Sequence, residues 1–251
     1  MANTVELPSP LLDRLSLRAP LSGEDRAAIL ALPRIVQTLR VGENLIREGD
    51  IPTHCGQILN GFAFRHKIVG DGARQILALQ LPGDLVDLQN IIVERSDHNV
   101  QALTRAEVAL MPRLALQELA FRRPAIGRAL WMETVVEASI SREWIANIGR
   151  RPGQARVAHL LCEFAVRLQV AGLGTSSTYA LPMTQEQLAD TVGMTPIHMN
   201  RLIRGLDEQS LIARDKRSIV ILDWPNLARI ADFDPAYLHL PREVVAKLRV
   251  G

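Results

Sequence analysis

Residues 183–206 read MTQEQLADTVGMTPIHMNRLIRGL, and this stretch decides the architecture. Thr184 stands three residues before Gln187, the spacing of a capping box, which predicts a helix opening there and running to Val192. Gly193 offers the positive φ of a tight corner, Thr195 is a second N-cap, and Pro196 takes the first helical position, where its missing N–H costs nothing. Two short helices thus meet across a three-residue corner. Ala189 is small where the helices approach, and Leu188, Met199 and Leu202 are assigned to the inward face. Thr195, Ile197, His198, Asn200, Arg201 and Arg204 are left facing outward. Such a face suits a recognition helix in a DNA major groove, because arginine donates twice to guanine O6 and N7 and asparagine pairs with adenine.

Downstream, Leu211 to Arg214 and Ile219 to Leu222 predict a two-stranded ribbon, its tip carrying Asp215, Lys216 and Arg217. Lys216 and Arg217 are the candidate phosphate contacts of a wing beside the helix. The plain alternative is a solvated helical hairpin. It would require the capping box, corner glycine, small contact residue and basic tip to coincide by chance.

Upstream, Leu11, Leu12 and Leu15 mark one short helix, and Ser22 caps a second over 24–32 before Pro33. From Ile35 to Met111 short alternating runs are separated by Gly42, Gly49, Gly61, the Gly70-Asp71-Gly72 turn and Pro82-Gly83. That spacing predicts an antiparallel barrel or sandwich of about eight strands. A helix over 114–122, a break at Pro124 and a long helix to Arg150 follow. In the long helix Ile126, Ala129, Met132, Val136, Ile140, Trp144 and Ile148 recur every three or four residues, an apolar seam suited to a second copy of the chain. Arg150 to Gly153 mark a hinge, followed by a helix over 154–170, a linker over 172–178 and a last helix over 224–231, with 241–251 unassigned. The domains are drawn at 1–122, 123–151 and 152–251.

Composition narrows the class. The chain has 251 residues, 47% hydrophobic and 22% charged, with net charge +2. Disordered and fibrous readings are excluded by that apolar content. The two cysteines, Cys55 and Cys162, are too few for a disulfide framework or a four-thiolate iron–sulfur cluster. No apolar run is long enough to span a bilayer and the start lacks a signal peptide, so a cytoplasmic protein without a membrane partner is expected. His54, Cys55, His66 and His98 have no spacing that supports a haem, and His159, Cys162 and Glu163 share a helical face without a fourth metal ligand. No catalytic constellation stands out, so no enzyme is expected.

With these residues in place the chain resembles the Crp–Fnr family of bacterial transcription factors, the cyclic-AMP receptor protein and fumarate–nitrate regulator group, over nearly its whole length. The resemblance implies an α+β protein: a cyclic-nucleotide-binding-like β-roll, a long dimerisation helix and a winged helix-turn-helix. It further implies a homodimer on double-stranded DNA, with RNA polymerase as a further partner. Arg201 stands where the family places its guanine-reading arginine, and Ile197 stands where relatives place a glutamate. Isoleucine cannot accept from cytosine N4 but can pack on a thymine methyl, so an altered half-site is expected. Residues 81–86, LPGDLV, resemble the start of the family's phosphate-binding cassette, making Asp84, Arg95 and Ser96 the candidate ligand residues. The spacing between Gly83 and Arg95-Ser96 departs from the family, so cyclic-nucleotide binding is not the leading expectation. The family's iron–sulfur mechanism is excluded by the absence of cysteine from residues 1–50. A true cyclic-AMP receptor of the same build is one alternative; a cyclic-nucleotide-regulated protein-binding or enzyme-regulatory module is another.

Overall fold

The computed structural model describes residues 9–175, 177–215, 217–241 and 245, so Lys216 and most of the 241–251 tail lie outside the described residues. Two short helices come first, α1 (Pro10–Ser16) and α2 (Gly23–Leu30), the second opened by Ser22 in a capping box with Asp25. Eight strands follow: β1 (Ile35–Leu39), β2 (Asn44–Ile46), β3 (His54–Asn60), β4 (Ala63–Ile68), β5 (Arg74–Gln80), β6 (Leu85–Val86), β7 (Asn99–Ala102) and β8 (Ala106–Pro112). They form two antiparallel four-stranded sheets, ordered β1-β8-β3-β6 and β2-β7-β4-β5. Leu39, Ile46, Ile58, Val86, Val100 and Val108 fill the space between the sheets.

The second sheet is covered on both faces. Ala63, Phe64, Arg65 and His66 are four consecutive buried residues of β4, a pattern that requires a layer on each side. The outer layer is the C-terminal half of the chain: Phe64, Ile76, Leu79 and Leu81 share one core with Leu161, Phe164 and Leu168. Those last three belong to α5 (Gly153–Val170), which follows α3 (Arg113–Arg122) and the long α4 (Pro124–Arg150).

The seam expected for a partner is turned into its own chain. Ile126 and Ala129 are fully buried against Leu11, Leu15, Ile29 and Leu116. Val136 is buried too, and Trp144 packs in the shared core with its indole N–H donating to Glu163 at 2.9 Å. Met132, Ile140 and Ile148 are half-buried, Ile148 lying near Gly193. Periodicity locates the most apolar face of a helix but not its cover, and here the N-terminal helices, roll and α5 cover it.

The reader domain comprises β9 (Thr178–Ala180), α6 (Gln185–Val192), α7 (Pro196–Glu208), β10 (Ile212–Asp215), β11 (Ser218–Ile221) and α8 (Trp224–Ala231). The expected linker runs into a strand the sequence reading did not assign, β9, which shares only Thr178 with it, pairs with β11 and widens the ribbon to three strands. Tyr179 explains this: it is buried, and its hydroxyl donates to the Leu161 carbonyl at 2.9 Å.

Beyond α8 the chain doubles back as a strap. A 3-10 turn, Pro235–Leu238, sets Leu238 against Val166, and His239 reaches Ser139 on α4 at 3.0 Å. Tyr237 donates its hydroxyl to buried Glu163 at 2.8 Å. Hydrogen bonds to charged groups contribute about 1.5–3 kcal/mol, so Tyr237→Phe is expected to lower unfolding free energy by about that amount. Urea denaturation measures it; an unchanged midpoint would mean that the Tyr237–Glu163 bond contributes nothing to the fold.

Candidate nucleic-acid interface and sensor cavity

The reading helix is built by local rules. Thr184 and Gln187 close a reciprocal capping box, and Gly193 adopts φ +66° at the corner. Thr195 then accepts from the His198 amide, with Pro196 at the first helical position. Met199, Ile203 and Leu206 are buried and Leu202 is half-buried, so the inward face includes Ile203 and Leu206, which the sequence reading passed over.

Thr195, Ile197, Asn200, Arg201 and Arg204 are exposed along one side of α7. Ile197 is 85% exposed, so it packs against no part of its own chain and is open to a partner surface. His198 differs from its neighbours: it is half-buried, and its Nδ1 accepts from Arg201 Nη2 at 2.7 Å. Arg217 is exposed at the β10–β11 turn, where its carbonyl accepts from the Leu181 amide at 2.7 Å and so ties the tip to the sheet. Lys216, its predicted companion, lies outside the described residues. The roll grips the first helix of the pair: Arg74 meets Asp190 at 2.7 Å, and Gln75 donates to the Thr191 carbonyl at 3.3 Å.

The three candidate ligand residues of the roll do not converge. Asp84 faces out of the roll to Arg14 at 3.2 Å and Arg167 at 2.8 Å. Arg95 is exposed and donates to the Gly49 carbonyl, while Ser96 donates to the His98 carbonyl. Short local bonds in the loop hold both residues there, and nothing draws them toward Asp84. In their place the roll carries a buried ionic network the sequence reading missed. Arg65 pairs with Asp87 at 3.1 Å and with Glu137 of α4, and His98 Nε2 meets Asp87 at 2.9 Å. The cavity between β5 and α4, lined by Leu79, Gln80, Leu88, Val136 and Glu137 among others, measures about 40 Å³. Small-molecule sites usually run to about 300–1,000 Å³, a range reached instead by the neighbouring cavity of about 390 Å³ beside Gly83, Asp84, Arg14 and Arg167. In one sequence Arg65, Asp87 and Glu137 carry no signature, since each is an ordinary charged residue in an ordinary element.

The thiols offer nothing to a metal. Cys55 and Cys162 are fully buried, and burial pushes the Cys55 thiol up to about 12. His159 is taken by Tyr237 and the Ala231 carbonyl, and Glu163 by Trp144, Tyr237 and Arg167. No metal-binding group of His, Cys, Asp and Glu occurs among the described residues, and no described helix is long and apolar enough to cross a membrane.

An eight-stranded roll joined by a long helix to a winged helix-turn-helix with an exposed reading face defines the class: a DNA-binding regulator with a sensor-type domain. Known proteins agree at each part. The cyclic nucleotide-binding domain family matches residues 36–123, and the Crp-like helix-turn-helix domain family matches residues 155–230. The transcriptional activator protein FnrL of Cereibacter sphaeroides is 27% identical over 214 residues, covering 84% of this chain and 86% of FnrL. The nitrogen fixation regulation protein FixK of Rhizobium meliloti is 28% identical over 207 residues, covering 81% and 86%. Among solved structures, FixK2 from Bradyrhizobium japonicum superposes with a TM-score of 0.74 at 26% identity, covering 79% of this chain and 98% of that one. The chain belongs to the Crp–Fnr family of transcription regulators.

The sensor network has a pH signature. Burial opposes the charged form of His98, but the hydrogen bond and charge of Asp87 outweigh it and raise the imidazole above its ordinary 6.5. Asp87, despite burial, is held below its ordinary range by His98 and Arg65. A raised histidine contributes stability that is complete below the unfolded pKa and lost as pH rises through the folded one. The stability difference between the wild type and His98→Gln is therefore expected to be largest just below pH 6.5 and to shrink above it. Denaturation series of both proteins across pH 5.5 to 9 measure this, and a difference that grows with pH would refute the pairing.

Proposed function

We propose that the chain acts as a homodimer reading a two-fold symmetric duplex site through α7, with no cyclic nucleotide required. The observation that carries the reading is the exposure of Ile197, Asn200, Arg201 and Arg204 on one side of a capped helix, with Arg217 on the wing beside it. Arg201 holds a guanine, Asn200 supplies a second base contact, and Ile197 packs on a thymine methyl. Arg217 and Lys216 contact phosphates, which sets affinity without setting sequence.

The dimer forms on the face of α4 opposite the expected seam. Trp131, Val135 and Ile145 are exposed there, Trp131 to 71% and Ile145 to 72%. With Ala138 and Arg142, also exposed on that side, they follow the alternating four-and-three spacing of a coiled-coil stripe. A stripe of this kind meets its own copy across a two-fold axis, which places two α7 helices for two half-sites. The roll's interior already pairs Arg65 with Asp87 and Glu137, and Asp87 with His98, which supports cyclic-nucleotide independence. The relatives' description as transcriptional activators supports contact with RNA polymerase, in the cytoplasm where the DNA is.

Arg201→Ala is expected to cost about 1–3 kcal/mol per half-site and to relax preference at one base pair, whereas Arg217→Ala weakens all duplexes alike and lowers the salt slope by about one for each phosphate no longer neutralised. Binding to cognate and scrambled duplexes over a salt series, without added nucleotide, separates the two. Equal loss on both duplexes for Arg201→Ala, or an absolute need for cyclic AMP, would overturn the assignment.

Trp131→Glu buries like charges at the two-fold axis, so the variant is expected to sediment as a folded monomer with much weaker binding to the symmetric site. A variant that stays dimeric places the interface elsewhere.

A further inference from the structure

We infer that His198 is the positioning residue for Arg201, and that Gly153 at the start of α5 exists to admit its ring. The inference rests on the reading of Arg201 as the guanine contact. Arginine has only N–H donors, so the 2.7 Å contact from Arg201 Nη2 requires a bare acceptor at His198 Nδ1. One of the five guanidinium N–H groups is used, and the remaining four suffice for the two bonds a guanine edge accepts.

The ring is held from behind as well. A Cβ on Gly153 would lie 3.0 Å from His198 Nε2 and 3.0 Å from Leu202 Cδ1, so the bare backbone of α5 lets the imidazole and leucine pack against it. Gly153 is the first residue of α5, two beyond Arg151, the C-cap of α4. The hinge, the imidazole and the guanidinium therefore form one chain of contacts. A long exposed side chain otherwise samples many rotamers before it meets a base, and His198 restricts that search before DNA arrives. His198 thus acts through Arg201 and does not itself read a base, unlike its sequence-based assignment to the DNA contacts.

The test is a double-mutant cycle in the full-length protein, read as affinity for the cognate duplex and for one with the guanine pair replaced. His198→Ala is expected to weaken cognate binding about 3–10-fold, the range of one hydrogen bond, and to leave the substituted duplex unchanged. His198→Asn, whose side-chain oxygen can stand near the Nδ1 position, is expected to restore most of the loss, and His198→Leu is not. In an Arg201→Ala background His198→Ala is expected to add nothing. Additive losses, equal losses on both duplexes, or no rescue by asparagine would overturn the positioning role while leaving the guanine reading intact. An Arg201→Ala that relaxes no base pair would overturn the guanine reading first, and the positioning role with it.

Discussion

A carboxylate placed inside a protein must be answered by a cation or a set of donors, and this chain buries several where its parts meet. Glu133 of α4 is met by both Arg14 and Arg18, Asp84 of the roll by Arg14 and Arg167, and Glu163 of α5 by Arg167, Trp144 and Tyr237. Arg14 and Arg167 each serve two carboxylates, so the N-terminal helix, roll, long helix, α5 and strap are joined through shared partners. Removing one member of a buried pair typically costs about 3–5 kcal/mol, because the other is left without compensation. These shared charges tie the N-terminal helix, roll, α4, α5 and strap together, and Arg74 paired with Asp190 adds the reader.

The reader was legible because its rules are local. A capping box spans three residues, a corner glycine announces its own φ, and an N-cap threonine followed by proline marks a helix start within two positions. Those signals placed Ile197, Asn200, Arg201 and Arg204 on the exposed side of α7, with half-buried His198 the exception. The eight strands of the roll were legible for a similar reason, since glycine turns punctuate them.

What was hidden lay in long-range partners. Glu163 meets Tyr237 across 74 positions and Arg14 meets Glu133 across 119, and neither pair has a spacing to detect. The same blindness misdirected the seam of α4: its most apolar face was visible, but the layers that bury Ile126, Ala129, Val136 and Trp144 come from distant segments. The packing of the His198 ring against Gly153 and its contact with Arg201 were likewise beyond the reach of sequence patterns.

One core runs unbroken from Phe64, Ile76 and Leu79 of the roll to Leu161 and Phe164 of α5 and on to Leu188 and Met199 of the reading helices. A rigid-body swing of the reader away from the roll would therefore bring apolar surface into water. Exposed apolar surface raises heat capacity, so a swing coupled to DNA docking would work against the usual negative heat-capacity change of association. A reader that docks as it stands would keep that negative change in full, and the temperature dependence of the binding enthalpy would distinguish the two without any label on the protein.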